Sequence, residues 1–255
     1  MRSTVEDMNT VRRNTRLAVA AGVGITALLL SGCALLQPPR TLSDEATVDA
    51  TITAIEIDDN DGGVVVRGVE GATGISLERT VRYRGDRTIE ESHSVDGDTL
   101  VLGGCGRNCS VMYTLEVPAG LDVSGHTENG EVDLTRVHDV DVETSNGPIS
   151  LDGVTGTIRA ATSNGRIEGS GLEGDGGIDV SSSNGAIDLR VDIAQDIEAH
   201  TSNGSIDLVV PDGSYRVNTD TSNGDEDIGV PNDSSGEFTL DLTTSNGSIT
   251  VDLRG

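Results

Sequence analysis

The chain has 255 residues, no lysine, no tryptophan, one phenylalanine and a formal charge of −26. This balance excludes nucleic acid as a partner, because the main attraction in such complexes comes from basic side chains, and it argues against anionic head groups for the same reason. Ile, Leu, Val and Phe supply 64 residues at regular spacings, which excludes a disordered acidic chain and leaves room for one domain with a substantial core.

Residues 1–32 read as a secretory leader. Arg12, Arg13 and Arg16 precede an apolar run from Leu17 to Leu30, which closes on Leu30-Ser31-Gly32-Cys33. That ending is similar to the lipobox of bacterial lipoproteins and implies that Cys33 is lipidated and becomes the mature N-terminus. The alternative is an uncleaved span over Leu17 to Leu36. Either reading predicts a membrane anchor and an extracytoplasmic domain. Met1 and Met8 both stand as starts, and the Arg-Arg pair leaves the export route open. Removing residues 1–32 takes away four arginines and two acids and leaves a charge of −28. Residues 33–45, with Pro38-Pro39, are expected to form a lipidated tether.

From residue 46 to 124 the chain alternates apolar and polar residues, as in Val111-Met112-Tyr113-Thr114-Leu115-Glu116-Val117, without a repeated motif. The expectation is a first part that begins the same stack, its irregularity suiting a cap over the first open sheet edge. It contains Cys105 and Cys109 in Cys-Gly-Arg-Asn-Cys, an exported i, i+4 pair expected to close a disulfide around a tight loop. A redox or metal-binding role for the pair lacks Cys-x-x-Cys spacing and a nearby histidine.

From residue 125 onward the sequence repeats. Asn-Gly begins at Asn129, Asn146, Asn164, Asn184, Asn203, Asn223 and Asn246, at intervals of 17 to 23 residues. Thr or Ser stands two positions before each Asn and an aliphatic six before. Aliphatics follow at three and five after, with Glu226 and Gly169 as exceptions. The buried parity changes across the pair, which predicts two short strands meeting at a sharp corner. Asn-Gly is expected to make that corner through the tolerance of both residues for positive φ. Length variation is confined to the opposite corner. The pattern predicts an all-β solenoid with one coil per repeat, and ladders of Thr and Asn side chains along it. The alternative is an antiparallel meander or sandwich in which each Asn-Gly is a hairpin turn.

Val117-Pro118-Ala119-Gly120-Leu121-Asp122-Val123 and the recurrent Thr-Ser-Asn-Gly-x-Ile-x-Leu that follows resemble the bacterial putative-adhesin domains of unknown function, over residues 46–255. The resemblance implies a β-helix-like stack and a place in the cell envelope.

Chemistry-bearing residues are sparse or scattered. His93, His126, His138 and His200 show no ligand spacing and read as surface residues. No nucleophile elbow, phosphate loop or zinc helix motif occurs. Asp58, Asp59 and Asp61, and Asp225, Glu226 and Asp227, form two acidic clusters, the second being the candidate for a Ca²⁺ site. The expected function is a non-catalytic envelope lipoprotein that contacts a cell-wall polymer or a surface protein. A calcium-binding surface domain and a polysaccharide-active β-helix enzyme are the alternatives.

Overall fold

The computed structural model describes residues 38–59 and 61–255. The leader, Cys33 and the first residues of the tether lie outside the described residues. From Pro39 onward the chain forms one compact unit of strands, with no helix among the described residues.

The strands lie in two sheets, one of eleven and one of ten. Each Asn-Gly repeat places one strand in each sheet, and every repeat strand pairs in parallel with the equivalent strand of the adjacent coil. The two strands flanking an Asn-Gly are therefore in different sheets, and the meander alternative is excluded. The register is residue for residue, so that Val123, Val140, Ile158, Ile178, Ile197 and Leu240 form one column. Val132, Ile149, Ile167, Ile187, Ile206 and Ile249 form another in the facing sheet. All twelve are buried. A single coil such as Ile178–Asn184 with Ile187–Val191 buries Ile178, Val180, Ile187 and Leu189. Each contributes about 1.5–3 kcal/mol through loss of apolar contact with water. At Gly169, where the sequence pattern has a gap, the pairing shifts between Gly169 and Leu172, and Leu172 fills the core instead.

The stack does not follow chain order at its ends. After Ile197–Asn203 and Ile206–Val210, the next position is taken by Phe238–Asn246 and Ile249–Leu253. Tyr215–Asn223 and Glu226–Ile228 lie outermost in their sheets. At the other end Ala54–Asp58 and Gly62–Val69 lie between the coil of Asp122–Asn129 and the coil of Thr99–Gly103 and Cys109–Pro118.

The segment expected to begin the stack thus holds two full coils. In one of them Asp61-Gly62 occupies the Asn-Gly position, with Ile55 six before, Val64 three after and Val66 five after, all fully buried. Beyond these coils the stack changes to antiparallel pairing. Ile75–Tyr83 pairs with Cys109–Pro118, Arg40–Val48 pairs with Ile75–Tyr83, and His93–Asp96 pairs with Thr99–Gly103. The tether assignment is corrected here, because residues 40–45 belong to an edge strand in which Leu42 and Ala46 pack against the core.

A buried polar cluster fixes this antiparallel end. The Arg79 guanidinium, almost wholly buried, donates through Nε to Asp44 Oδ1 at 2.9 Å and through Nη1 to the Glu90 carbonyl at 2.9 Å and Ser92 Oγ at 2.8 Å. The Tyr113 hydroxyl lies 2.6 Å from Ser92 Oγ, and it can donate to the carbonyls of Ser92 or Gly103 at 2.9 and 2.8 Å. A buried cation is tolerated only with such partners. Burial pushes the Tyr113 hydroxyl up to about 12.

Candidate functional site

The recurrent Thr-Ser-Asn-Gly corner is the feature repeated most faithfully, and three of its four positions are consumed by the stack. The buried Thr donates its hydroxyl to a glycine carbonyl of the adjacent coil: Thr144 to Gly130 at 3.1 Å, Thr162 to Gly147 at 3.0 Å, Thr201 to Gly185 at 2.9 Å. Each Asn donates to the Asn oxygen of the coil before it. Asn146 bonds to Asn129 at 3.0 Å, Asn164 to Asn146 at 2.9 Å, Asn184 to Asn164 at 3.1 Å and Asn203 to Asn184 at 3.0 Å. The ladder continues through Asn246 to Asn223, at 3.0 and 3.1 Å. It starts at Asp61, whose carboxylate accepts from Asn129 at 2.8 Å and, having no donor, passes nothing further along.

The glycine has a different role from the one expected. No Asn-Gly residue has positive φ. A Cβ on Gly130, Gly147, Gly165, Gly185, Gly204, Gly224 or Gly247 would fall on a carbonyl oxygen of the adjacent coil, at Gly62, Gly130, Gly147, Gly165, Gly185, Gly247 and Gly204 respectively. Glycine is required here for close backbone approach rather than for a left-handed turn.

The fourth position faces outward. Ser145, Ser163, Ser183, Ser202, Ser245 and Ser222 line one edge of successive coils, and none of their hydroxyls bonds to a described residue. With parallel strands about 4.8 Å apart, they form a rail of free donors and acceptors at one-coil intervals.

The outward faces beside the rail are acidic. Asp179, Glu198 and Asp241 are adjacent in one sheet and line an open groove of about 290 Å³ with Arg159. In the other sheet Glu168, Asp188 and Asp207 are adjacent, and Arg166 bridges Glu168 at 2.7 Å and Asp188 at 3.1 Å. Burial, outweighing the attraction of Arg166, raises the Asp188 carboxyl above its usual range, and Asp207 and Glu168 add to the rise.

The acidic clusters read from the sequence are not brought together. Asp58, Asp59 and Asp61 lie in the second coil from the antiparallel strands, whereas Asp225, Glu226 and Asp227 lie in the outermost coil at the other end. Glu226 takes the inward column opposite Ile249, where Thr219 donates to it at 3.0 Å, and Asp227 takes the outward column opposite Thr250. Successive residues of a strand point to opposite faces, so these carboxylates diverge. A different group converges at the variable corner: His138 Nδ1 lies 2.9 Å from Asp122 and 3.7 Å from Asp139. The hydrogen bond to Asp122 raises the His138 pKa. Asp139 Oδ1 also accepts the Thr157 amide at 2.7 Å, so the group ties three coils together. Cys105 and Cys109 form the expected disulfide, with Cα atoms 5.8 Å apart, at the corner preceding the head of the Asn ladder.

No family model matches the sequence, and no curated protein matches it. Among solved structures, the chain is similar to a putative cell adhesion protein from Clostridium sporogenes, at 9% identity and a TM-score of 0.37, covering 84% of this chain and 100% of that one. It is similar to a putative adhesin from Bacteroides fragilis at 12% identity and a TM-score of 0.36, covering 84% and 97%. A putative adhesin from Parabacteroides distasonis gives 12% identity and 0.35, covering 83% and 97%.

Proposed function

We propose that this protein is a non-catalytic adhesive lipoprotein of the cell envelope, held to the membrane through lipidated Cys33, whose coil stack makes lateral contact with a polymer or protein outside the cytoplasm. The observation that carries the reading is the serine rail. Six equivalent hydroxyls are repeated in a line, and no internal bond uses them. Catalysis needs unlike groups converging on one reacting centre, whereas a line of like groups suits many weak contacts along an extended partner. The flanking carboxylates favour a neutral or cationic polymer over an anionic one.

The test uses the full chain in its native membrane. Replacing Ser163, Ser183 and Ser202 together by Ala, which removes the hydroxyls without adding charge, is expected to leave the melting temperature nearly unchanged and to abolish binding to isolated cell-wall material. Undiminished binding would remove the rail from the function. Cys33→Ala is expected to shift the chain from the membrane fraction to the soluble fraction, and mass analysis of the residue-33 peptide reads the lipid directly.

A further inference from the structure

The arginines are unevenly placed. Of the thirteen that follow Cys33, seven lie between residues 40 and 107, beside 14 acids, whereas residues 119–255 have 26 acids and six arginines. Two of the seven, Arg82 and Arg84, line an open groove of about 400 Å³ together with Pro39, Asp61, Tyr83 and Asn108. Both are exposed, and neither guanidinium bonds or pairs with a described residue. In a chain this acidic, two adjacent guanidinium groups without a carboxylate partner are an unfilled anion-binding capacity. The one carboxylate in the groove, Asp61, is engaged by Asn129 at 2.8 Å.

The groove also lies where the chain enters the fold, since Pro39 is part of its wall. Six peptide steps separate Cys33 from Pro39, a reach of at most about 20 Å even when fully extended. We infer that this groove docks on the phosphate of an anionic phospholipid in the membrane that holds the lipid anchor, so that the antiparallel end of the stack rests on the bilayer. The inference rests on the proposed lipidation of Cys33. Arginine suits a phosphodiester because its planar fork donates to two phosphate oxygens at once. The overall charge opposes anionic head groups, so the contact is local to Arg82 and Arg84; acidic coils more than about 8 Å away do not cancel it, being largely screened at physiological ionic strength.

The chain has no tryptophan, so Tyr83→Trp gives a single emitter in the groove. Leu253→Trp gives one on an exposed site in the coil next to the outermost one. The full lipid-bearing chain would be reconstituted into vesicles containing brominated phosphatidylcholine, with or without phosphatidylglycerol. The expected result is quenching of Tyr83→Trp only when phosphatidylglycerol is present, reversed by high salt and by adding Arg82→Ala and Arg84→Ala, with Leu253→Trp unquenched throughout. Each arginine lost should weaken the contact about fivefold. An unquenched Tyr83→Trp chain that still floats with anionic vesicles would overturn the docking and leave the anchor standing. A chain that fails to float and has an unmodified Cys33 would remove both. An emission change with inorganic phosphate alone, the same with and without vesicles, would make this a soluble-anion site and overturn the membrane assignment.

Discussion

Gly165→Ala separates the two physical reasons a corner can require glycine. In a strand, alanine is ordinarily the better residue by about 0.5–1 kcal/mol, because glycine loses more backbone freedom on folding. At position 165 the new methyl would fall on the Gly147 carbonyl and lie 2.9 Å from Thr162 Oγ1, whose hydrogen bond to that carbonyl it would crowd. Overpacking of this kind costs about 1–3 kcal/mol, and loss of the hydrogen bond about 1 kcal/mol more. After the backbone gain is subtracted, the expected net loss is about 1–3.5 kcal/mol. For a domain of this size that lowers Tm by roughly 3–10 °C. Gly74→Ala is the control, since nothing lies within 4 Å of its Cβ position and its φ is ordinary; it should be neutral or slightly stabilising. Gly165→Asn completes the set. Asparagine relieves a positive-φ requirement but not a clash at Cβ, so it should be at least as damaging as alanine. Thermal and denaturant melts read all three variants. A Gly165→Ala protein as stable as its parent, or an asparagine variant clearly better than the alanine one, would refute the close-approach account.

Three further predictions follow from other parts of the stack. The Asn232 carboxamide lies against the outermost strand, accepting from the Val217 amide at 3.1 Å and donating to the Val217 carbonyl at 2.9 Å; Asn232→Ala should speed hydrogen exchange at Val217 by about tenfold, and unchanged exchange would show that the contact does not protect the edge. Because folding raises the Tyr113 pKa from 10.0 to about 12, its contribution is fully present below pH 10 and is lost as pH rises to 12. Tyr113→Phe should lower stability at neutral pH by about 1–2 kcal/mol and flatten the alkaline decline, which denaturant melts from pH 8 to pH 12 would read. The His138 imidazole should titrate above 6.5 in a proton NMR series, its contribution being present below pH 6.5 and lost as pH rises through the folded value; Asp122→Asn should move it down, and an unmoved titration would discount the hydrogen bond.

The coil interior was legible because burial imposes a strict period on it. Ile149, Ile187 and Ile206 stand at the same offset from their Asn, and all are fully buried in one column. Thr and Asn ladders followed from the same register. The coil at Asp61-Gly62 was missed although its aliphatic offsets match, because Asp replaces Asn and Asp59 stands where the others have Thr or Ser. The inverted order of the final coils was not legible: parallel neighbours of equal length offer each other the same column of aliphatics, so register alone does not rank them. The departure at Asp225-Glu226-Asp227 was the available signal, since only an outermost coil can leave Glu226 and Thr219 at inward positions without burying them in apolar surroundings. The tether boundary failed for a related reason. Arg40–Val48 mixes charges with small apolar residues, as an edge strand does, and such a segment reads like a linker until its partner is known.

Both inversions have one structural consequence. The coil of Ala54–Asp58 and Gly62–Val69 and the coil of Phe238–Asn246 and Ile249–Leu253 each pair in parallel on both sides. The strands left at the margins of the sheets are those with special protection. At one end they are antiparallel additions tied through Arg79 to Asp44 and Ser92. At the other end the outermost coil has Glu226 where others have isoleucine, and the Asn232 carboxamide covers part of its free edge. Charge, inward polar residues and covering side chains are the means by which an open edge is kept from recruiting another strand. A stack closed in this way at its ends and repetitive along its sides is disposed to meet partners laterally, and this is where the unbonded serine hydroxyls lie.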